Sequence, residues 1–349
     1  MKFATKTFAA AAAICAGLAS MPASAQSYEP WEQELYDAAK EEGGVVWYVS
    51  QTTSEMANAI CAEFAKRYPD VTCDAIRATG SVTFQRVMQE VQANAVQGDV
   101  YSSNDDTDFV EMLKADALAA YKPHNLEHML PSMKAAGNQD GYWYASNISP
   151  YGIVYNTDLV PADEAPKTWN DLLDPKWKDQ LAIAHPGFSG SMSMFTVAVE
   201  EAYGWEYFEK LEANKPQIGR SVSDGYNLVV SGERKVAIAP ITLGLGGKMG
   251  GKPVDIVVPE DGLMLPPSGT GLLAAAPHPN AGKLFEEFLL GKEAAQMLAD
   301  AHRFPLRSDV PTADGVPSLA NTPMITANPG TAAEKVGPTT EKFRETFGI

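Results

Sequence analysis

The spacing of hydrophobic residues alternates along the chain between two patterns. Short continuous apolar runs, such as residues 45–49, are typical of buried strands, whereas apolar residues three or four positions apart, as over residues 56–67, are typical of helices. A Gly-Gly pair ends a first helix over residues 31–42. Strands over residues 71–76 and 99–101 each precede another helix. This βαβαβ order predicts a parallel sheet with helices packed on it.

Polar residues follow the carboxyl end of each of these strands. In an open parallel sheet such junctions line one crevice, which is where ligands bind in α/β folds. A Gly-Ser pair also opens the helix after the second strand, with an arginine nearby, so that its first N–H groups face outward. We therefore expect ligand-binding residues from these junctions of a first lobe: Thr52, Thr53, Arg77, Gly80, Ser81, Asn104 and Asp105.

The same arrangement recurs in the second half of the chain. A strand over residues 181–184 ends in a His-Pro-Gly break, and Ser189, Gly190 and Ser191 then open a long apolar-periodic helix. Hydroxyls and free N–H groups at a helix start favour a negative ligand. The alternative is that Ser189 or Ser191 only caps its own helix.

A later junction, residues 223–226, adds Asp224 and Tyr226 to the candidates. For each candidate aspartate the alternative is a solvated cap at a helix start. Residues 246–252 spell G-x-x-x-x-G-K but continue with proline instead of Ser or Thr, so we interpret them as a surface turn. A long helix over residues 280–301 and a short final helix near Glu341 complete the pattern.

Two segments are predicted to cross between lobes. Residues 142–156 alternate like one strand, but Ser149-Pro150 interrupts them, and proline is poorly tolerated inside a paired strand. Tyr151 follows this break and is a further ligand candidate. The Pro- and Gly-rich stretch before residue 271 is interpreted as the return crossing. The predicted lobes are therefore residues 27–147 plus 262–305, and residues 148–261 plus 306–349.

The first 25 residues have the features of an export signal. Lys2 and Lys6 precede an apolar stretch over residues 8–19 that is too short to span a bilayer, and an Ala-Ser-Ala site follows at residues 23–25. We expect cleavage before Gln26 and a soluble periplasmic protein. A lipid anchor is not expected, because the only cysteine in this region lies inside the apolar stretch.

Charge and composition limit the partners. The formal net charge is −17, and removing the two signal-peptide lysines makes it −19. Such a chain is not expected to bind nucleic acid or an anionic membrane surface. A hydrophobic content of 45% is typical of a globular protein. We expect a monomer that uses no cofactor.

Cys61 and Cys73 are the two cysteines of the mature chain. They lie 12 residues apart, on a predicted helix and on the strand after it, and exported proteins meet an oxidising compartment. A disulfide between them is expected, with two free buried thiols as the alternative. Neither C-x-x-C spacing nor a nearby histidine supports a metal site.

Several blocks resemble one family in order and spacing: LYDAAKEEGGVVWYVSQ, WNDLLDPKWKDQLAIAHPGFSGS, SDGYNLVVSGERKVAIA, HPNAGKLFEEFLLGKEAAQML and AHRFPLRSDV. The chain is similar to family 1 extracellular solute-binding proteins of ABC importers, in the group that binds ferric ion, phosphonates or sugar phosphates. The resemblance implies an α/β, type II periplasmic binding fold, with two Rossmann-like lobes joined by a hinge and the ligand cleft between them. It also implies transport of a small molecule to an ABC permease instead of enzymatic activity.

The resemblance leaves two ligand classes open. Ferric binders of this group place a histidine after the first strand, a glutamate after the third and a tyrosine pair at the second-lobe junction. This chain has threonine, Asn104 and Gly225-Tyr226 there, so a ferric site would depend on Tyr226 and Tyr151.

The anion-binding half of the group's site is retained, which favours a phosphonate or organophosphate such as 2-aminoethylphosphonate. Asp105, Asp106 or Asp224 would face its ammonium group. An exported hydrolase is the remote alternative, since no nucleophile and base are suitably paired.

Overall fold

The computed structural model describes residues 27–135, 140–265 and 267–349. The signal-peptide prediction for residues 1–25 lies outside them. The strands are β1 (Gly44–Val49), β2 (Thr72–Arg77), β3 (Val100–Ser103), β4 (Leu118–Ala119), β5 (Tyr144–Ile148), β6 (Tyr151–Asn156), β7 (Leu181–Ala184), β8 (Gln217–Gly219), β9 (Val236–Pro240), β10 (Val254–Val257), β11 (Leu263–Met264), β12 (Pro267–Leu273) and β13 (Met324–Ile325).

Most of the described α-helices come after a strand. They are α1 (Pro30–Glu42), α2 (Ser54–Arg67), α3 (Gly80–Gln92), α4 (Asp106–Lys114), α5 (Pro131–Ala135), α6 (Gly190–Tyr203), α7 (Glu206–Glu212), α8 (Val222–Val230), α9 (Ile241–Met249), α10 (Pro279–Leu289), α11 (Lys292–Asp300) and α12 (Pro329–Phe347).

The first lobe is built on a sheet of order β2-β1-β3-β12-β4, with β5 beside β12. β1 pairs in parallel with β2 and β3, as expected for a βαβαβ unit, while β12 returns antiparallel to β3. Trp47, Phe64 and Phe285 fill the core between β1, α2 and α10. The carboxyl ends of β1, β2 and β3 therefore meet at one edge.

The second lobe has a sheet of order β13-β11-β6-β9-β7-β8, with β10 also beside β6. Its central strands β9, β7 and β8 are parallel, and β6 runs antiparallel to β9, so that Tyr151 at the start of β6 lies opposite Pro240 at the end of β9. α6 and α12 pack on one face, around Phe195 and Phe343. α8 and α9 cover Ala182 and Val154 on the other face.

Three crossings join the sheets. β5 and β6 belong to different sheets, and Ser149-Pro150 lies between them. β11 still pairs in the second sheet, so the return crossing lies after Met264 instead of before residue 262. Leu306 and Ser308 hydrogen-bond to the segment beside the first sheet, which moves the third crossing past residue 308. Buried Ile148, Leu265, Phe304 and Leu306 pack together at this hinge.

Three helix predictions need correction. The helix expected over residues 280–301 is two helices, because the chain turns at Leu290 and Gly291 before α11 begins. The turn expected over residues 246–252 is in part the end of α9, whose Gly244 packs closely on Val154 and Ile256. The final helix is not short, since α12 has 19 residues and packs on α6.

The expected disulfide is confirmed. Cys61 on α2 is bonded to Cys73 on β2, with 5.2 Å between their Cα atoms. The bond joins a helix to the strand that follows it. Among the described residues, no helix is both long and apolar enough to cross a membrane.

Candidate functional site

The first-lobe edge brings three of the predicted junctions together. The start of α3 lies beside the end of β3, because a Cβ on Gly80 would be 3.6 Å from Asn104 Oδ1 and 3.7 Å from Ser50 Oγ. The N-cap of α3, Thr79, makes no side-chain cap hydrogen bond, and Ser81 in the first turn is exposed. The free N–H groups of α3 therefore open towards the same edge as Asn104.

Some of the other first-lobe candidates already form hydrogen bonds within their own lobe. Arg77 Nε donates to the Thr52 carbonyl oxygen at 3.1 Å. Thr53 Oγ1 caps α2 by accepting from the Met56 N–H at 3.3 Å. The Thr52 hydroxyl, in contrast, is buried without a hydrogen-bond partner among the described residues. Thr53 thus has a capping role, and Thr52 keeps an unused hydroxyl.

Three hydroxyl groups converge at the start of α6 in the second lobe. Ser189 is the N-cap and accepts from the Met192 N–H at 3.4 Å. Its hydroxyl lies 3.1 Å from that of Ser191, which in turn lies 2.9 Å from the Tyr151 hydroxyl. Burial raises the pKa of Tyr151, so this phenol stays protonated and serves as a hydrogen-bonding group.

The two lobes touch at this helix start. A Cβ placed on Gly190 would lie only 2.8 Å from Asp105 Oδ2. Asp105 caps α4, since its Oδ1 accepts from the Thr107 N–H at 3.0 Å and from the Thr107 hydroxyl at 2.7 Å. Its second oxygen thereby faces the amino-terminal end of α6, where the helix dipole favours negative charge. A first-lobe carboxylate and the second-lobe hydroxyls form one inter-lobe site.

A buried carboxyl lies behind Asp105. Asp108 Oδ2 accepts from the Tyr101 hydroxyl at 2.5 Å and from the Ser103 hydroxyl at 2.6 Å. Burial, followed by the charge of Asp105, raises the pKa of Asp108 to about 7. A buried carboxyl in the first turn of α4 therefore titrates near neutrality.

A chain of hydrogen-bonded side chains, half-buried at Gln51 and buried beyond it, links the first-lobe edge to the lobe core. Gln51 Nε2 donates to Ser146 Oγ at 2.8 Å, and Ser146 Oγ lies 2.5 Å from Thr270 Oγ1. Thr270 Oγ1 lies 2.6 Å from Ser102 Oγ, which accepts from Trp47 Nε1 at 2.7 Å. We name these five residues the polar chain. It ties β5 and β12, the two strands next to the hinge, to β1 and β3.

Two further predicted residues are engaged in contacts within the second lobe. Asp224 is the third residue of α8, and its oxygens accept from the Ser221 N–H at 2.8 Å and the Ser221 hydroxyl at 2.9 Å, which is a capping box. Tyr226 lies one turn into α8 and packs against Gly247 of α9 on the face of the sheet opposite Tyr151. The strand pleat separates the two tyrosines that a ferric site would need to share.

Two residues outside the predicted set stand at this edge. Ala184 and Gly219 are register partners at the ends of β7 and β8, so His185 and Arg220 follow side by side. The Arg220 guanidinium lies over the ring of Phe188 at 5.0 Å, and Phe188 directly precedes Ser189. Arg220 directly follows the carboxyl end of β8. It would have been a candidate if polar residues after this strand had been selected in the same way as those after the other strands.

The described residues include no group of three or more His, Cys, Asp or Glu side chains placed to hold a metal ion. Asp106 follows Asp105, but its side chain is not described. The chemistry brought together is that of hydroxyls, helix N–H groups and a carboxylate. These groups suit a ligand with an anionic end and a cationic end.

Bacterial extracellular solute-binding proteins match this chain over residues 101–328. A Salmonella typhimurium relative, whose provisional name is 2-aminoethylphosphonate-binding periplasmic protein, is 32% identical over 49% of this chain and 54% of its own length. The chain spans about half of that relative.

Solved structures show the fold. The periplasmic binding protein AfuA of Actinobacillus pleuropneumoniae, with bound fructose-6-phosphate, has a TM-score of 0.73 at 23% identity over 88% of this chain and 99% of its own. Iron-bound HitA of Pseudomonas aeruginosa has a TM-score of 0.73 at 18% identity over 86% of this chain and 99% of its own. The expected type II periplasmic binding fold is confirmed.

The match to a solute-binding family also excludes the exported hydrolase alternative. Solute-binding proteins of ABC importers capture a small molecule outside the cytoplasm and deliver it to a permease. Because the family match covers more than half of its length, the chain belongs to the bacterial extracellular solute-binding proteins.

Proposed function

We propose that this protein captures a small phosphonate or phosphate ester in the periplasm, with 2-aminoethylphosphonate as the specific candidate. The observation that carries the proposal is the set of hydroxyls of Ser189, Ser191 and Tyr151 at the start of α6, facing Asp105 across the cleft. The relative named for 2-aminoethylphosphonate supports the same ligand.

Each end of this zwitterion has a complement. Phosphonate oxygens accept from the Ser189 and Ser191 hydroxyls and from first-turn N–H groups of α6, where the helix dipole adds attraction. Asp105 Oδ2 then serves as acceptor for the ligand ammonium. Thr52, Gly80, Ser81 and Asn104 complete the first-lobe side of the proposed site.

Ferric iron is the second candidate, favoured by the fold shared with iron-bound HitA. The two tyrosines proposed as iron ligands are a poor ligand set, because a hard trivalent cation requires phenolate and carboxylate ligands. Tyr151 is held as a protonated hydrogen-bonding partner of Ser191, and Tyr226 packs on the other sheet face.

Further parts of the proposal concern the whole chain. The mature protein begins at Gln26 after cleavage, carries no lipid and acts as a monomer without a cofactor. Its net charge of −19 disfavours nucleic acid as a partner. We place lobe 1 at residues 27–148, 267–308 and lobe 2 at residues 151–264, 309–349, with the hinge between them.

Calorimetry on the mature protein tests this function with 2-aminoethylphosphonate, inorganic phosphate and ferric citrate. We expect tight binding of the phosphonate alone. Ser191→Ala removes one charge-assisted hydrogen bond, so affinity falls by about 10- to 100-fold, corresponding to about 1.5–3 kcal/mol. Ser231→Ala is the matched control and keeps full affinity, because the Ser231 hydroxyl donates to Leu228 and Glu233 at the carboxyl end of α8.

Tyrosine variants separate the two ligands. Tyr226→Phe leaves phosphonate affinity unchanged, whereas Tyr151→Phe weakens it through Ser191. A coloured ferric complex that loses its colour in Tyr226→Phe, with no heat from the phosphonate, would refute the proposed function.

A further inference from the structure

A cation and an exposed aromatic ring stand together beside the hydroxyls of α6. Phe188 occupies the position just before the N-cap Ser189, and 57% of its surface is exposed. Arg220 directly precedes Ser221, the N-cap of α8, and its guanidinium covers the Phe188 ring at 5.0 Å. The charge is therefore held between two helix starts at the cleft edge of the second lobe.

No structural task accounts for this arginine. Among the residues that the structure describes, no carboxylate lies within salt-bridge distance of Arg220, and no hydrogen bond engages its guanidinium. Asp224, whose pKa is lowered chiefly by its hydrogen bonds with Ser221 and in part by the charge of Arg220, uses both carboxylate oxygens to accept from Ser221. Exposed and unpaired, in a chain of net charge −17, the group is available to an anion.

Strand register explains why Arg220 lies beside Phe188, the residue before the N-cap of α6. His185 donates its N–H to the Gly219 carbonyl oxygen at 2.9 Å, which extends the β7–β8 pairing by one residue. From there the chain takes one 3₁₀ turn over Pro186–Phe188 before Ser189. This turn places the Phe188 ring against the planar guanidinium of Arg220. Arginine readily stacks on an aromatic face.

We infer that Arg220, oriented by Phe188, makes the site selective for a doubly charged phosphonate or phosphate monoester over a singly charged anion of the same shape. This inference rests on the proposed function of the α6 site. Helix N–H groups and hydroxyls carry only partial charges, whereas a full cation forms charge-assisted hydrogen bonds that strengthen as the negative charge of the ligand grows, so a cation favours the doubly charged group. A guanidinium also offers two parallel N–H donors to two oxygens of one phosphonate.

The experiment compares 2-aminoethylphosphonate with 2-aminoethanesulfonate, its singly charged isostere, by calorimetry at pH 8. Phosphate-type groups lose their second proton at about pH 6. The wild-type protein binds the phosphonate at least 100-fold more tightly than the sulfonate. Arg220→Gln lowers phosphonate affinity by at least 10-fold and sulfonate affinity by less than 3-fold, so the selectivity ratio falls.

Lys178→Gln is the matched control. It removes one exposed positive charge from the opposite, amino-terminal edge of β7, and selectivity stays at the wild-type value. Phe188→Leu keeps the charge of Arg220 but removes the aromatic ring that orients it. We expect a ratio of phosphonate to sulfonate affinity between those of the wild-type protein and Arg220→Gln. Unchanged thermal unfolding of all three variants excludes a folding effect.

The outcomes distinguish the inference from the function beneath it. If the wild-type protein binds the phosphonate and Arg220→Gln keeps the full selectivity ratio, the role of Arg220 is wrong and the proposed function stands. If the wild-type protein binds neither compound, the proposed function fails and the inference falls with it.

Discussion

At the scale of single residues, two aspartates with similar sequence settings have different surroundings. Asp224 uses both oxygens to cap its own helix, whereas Asp105 caps with one oxygen and turns the other towards Gly190. Both follow a strand and precede or begin a helix, so local pattern predicts the same role for each. The difference arises from which helix start faces the other lobe, and that is a property of tertiary structure.

Asp108 makes the stability of the protein depend on pH. Its pKa of about 7 in the folded state exceeds the value of about 4 expected for an unfolded aspartate. The folded state therefore holds the additional proton between these values, and the free energy of unfolding falls as pH rises from about 4 to about 7. Three pKa units set an upper limit of about 4 kcal/mol for this loss.

Asp108→Asn keeps the shape and removes the titration. We expect the variant to be less pH-sensitive than the wild-type protein, measured as the difference in urea unfolding free energy from pH 4 to pH 8. Asp163→Asn, at an exposed position, serves as the control and follows the wild-type curve. A difference between Asp108→Asn and wild type that is constant with pH would contradict the assignment.

At the scale of elements, helix starts were predicted better than helix faces. The break at residues 185–187 and the serines that follow it identified the start of α6 correctly, because capping and proline are local signals. The face that α8 presents to its sheet was not predicted, so the packing of Tyr226 against Gly247 of α9 had no signal in the sequence. α9 was missed because its glycines have low helix propensity and its stability comes from packing on β6 and β10.

Gly190 is required at the start of α6 for close approach of the lobes. Gly190→Val places carbon atoms where Asp105 Oδ2 lies, 2.8 Å from the new Cβ, and also covers the first N–H groups of the helix. We expect phosphonate affinity to fall by at least about 100-fold, corresponding to roughly two charge-assisted hydrogen bonds. Gly246→Val is the control, because the space around a Cβ at Gly246 is open. Equal affinities of the two variants in calorimetry would remove Gly190 from the site.

At the scale of the whole molecule, hydrophobic spacing was enough to predict two α/β lobes and the first crossing. Ser149-Pro150 separates β5 from β6 because proline cannot continue a ladder, which is visible in sequence. The later crossings were shifted by a few residues, since β11 is only two residues long and carries no periodic signal. Asp105 and Gly190 are 85 residues apart in the sequence, so their contact cannot be predicted from a local sequence pattern.

Closure of the lobes should depend on ligand. The hinge residues connect two separately packed sheets, and a ligand held by both edges stabilises the closed state by its additional contacts there. We expect small-angle scattering of the wild-type protein to show a smaller radius of gyration with 2-aminoethylphosphonate than without it. The Gly190→Val protein, which cannot close fully, keeps one radius under both conditions. An unchanged radius for a wild-type protein with confirmed bound ligand would contradict hinge closure.

The polar chain connects the cleft to a tryptophan whose fluorescence can be measured. Gln51 lies at the cleft edge, and the hydrogen bonds through Ser146, Thr270 and Ser102 end on the indole N–H of Trp47, which is buried in the lobe core. We expect an event that reorients Gln51 to change the hydrogen bonding of that indole, and indole emission and its N–H resonance respond to such changes. A buried tryptophan far from solvent can thus signal occupancy of a site that it never touches.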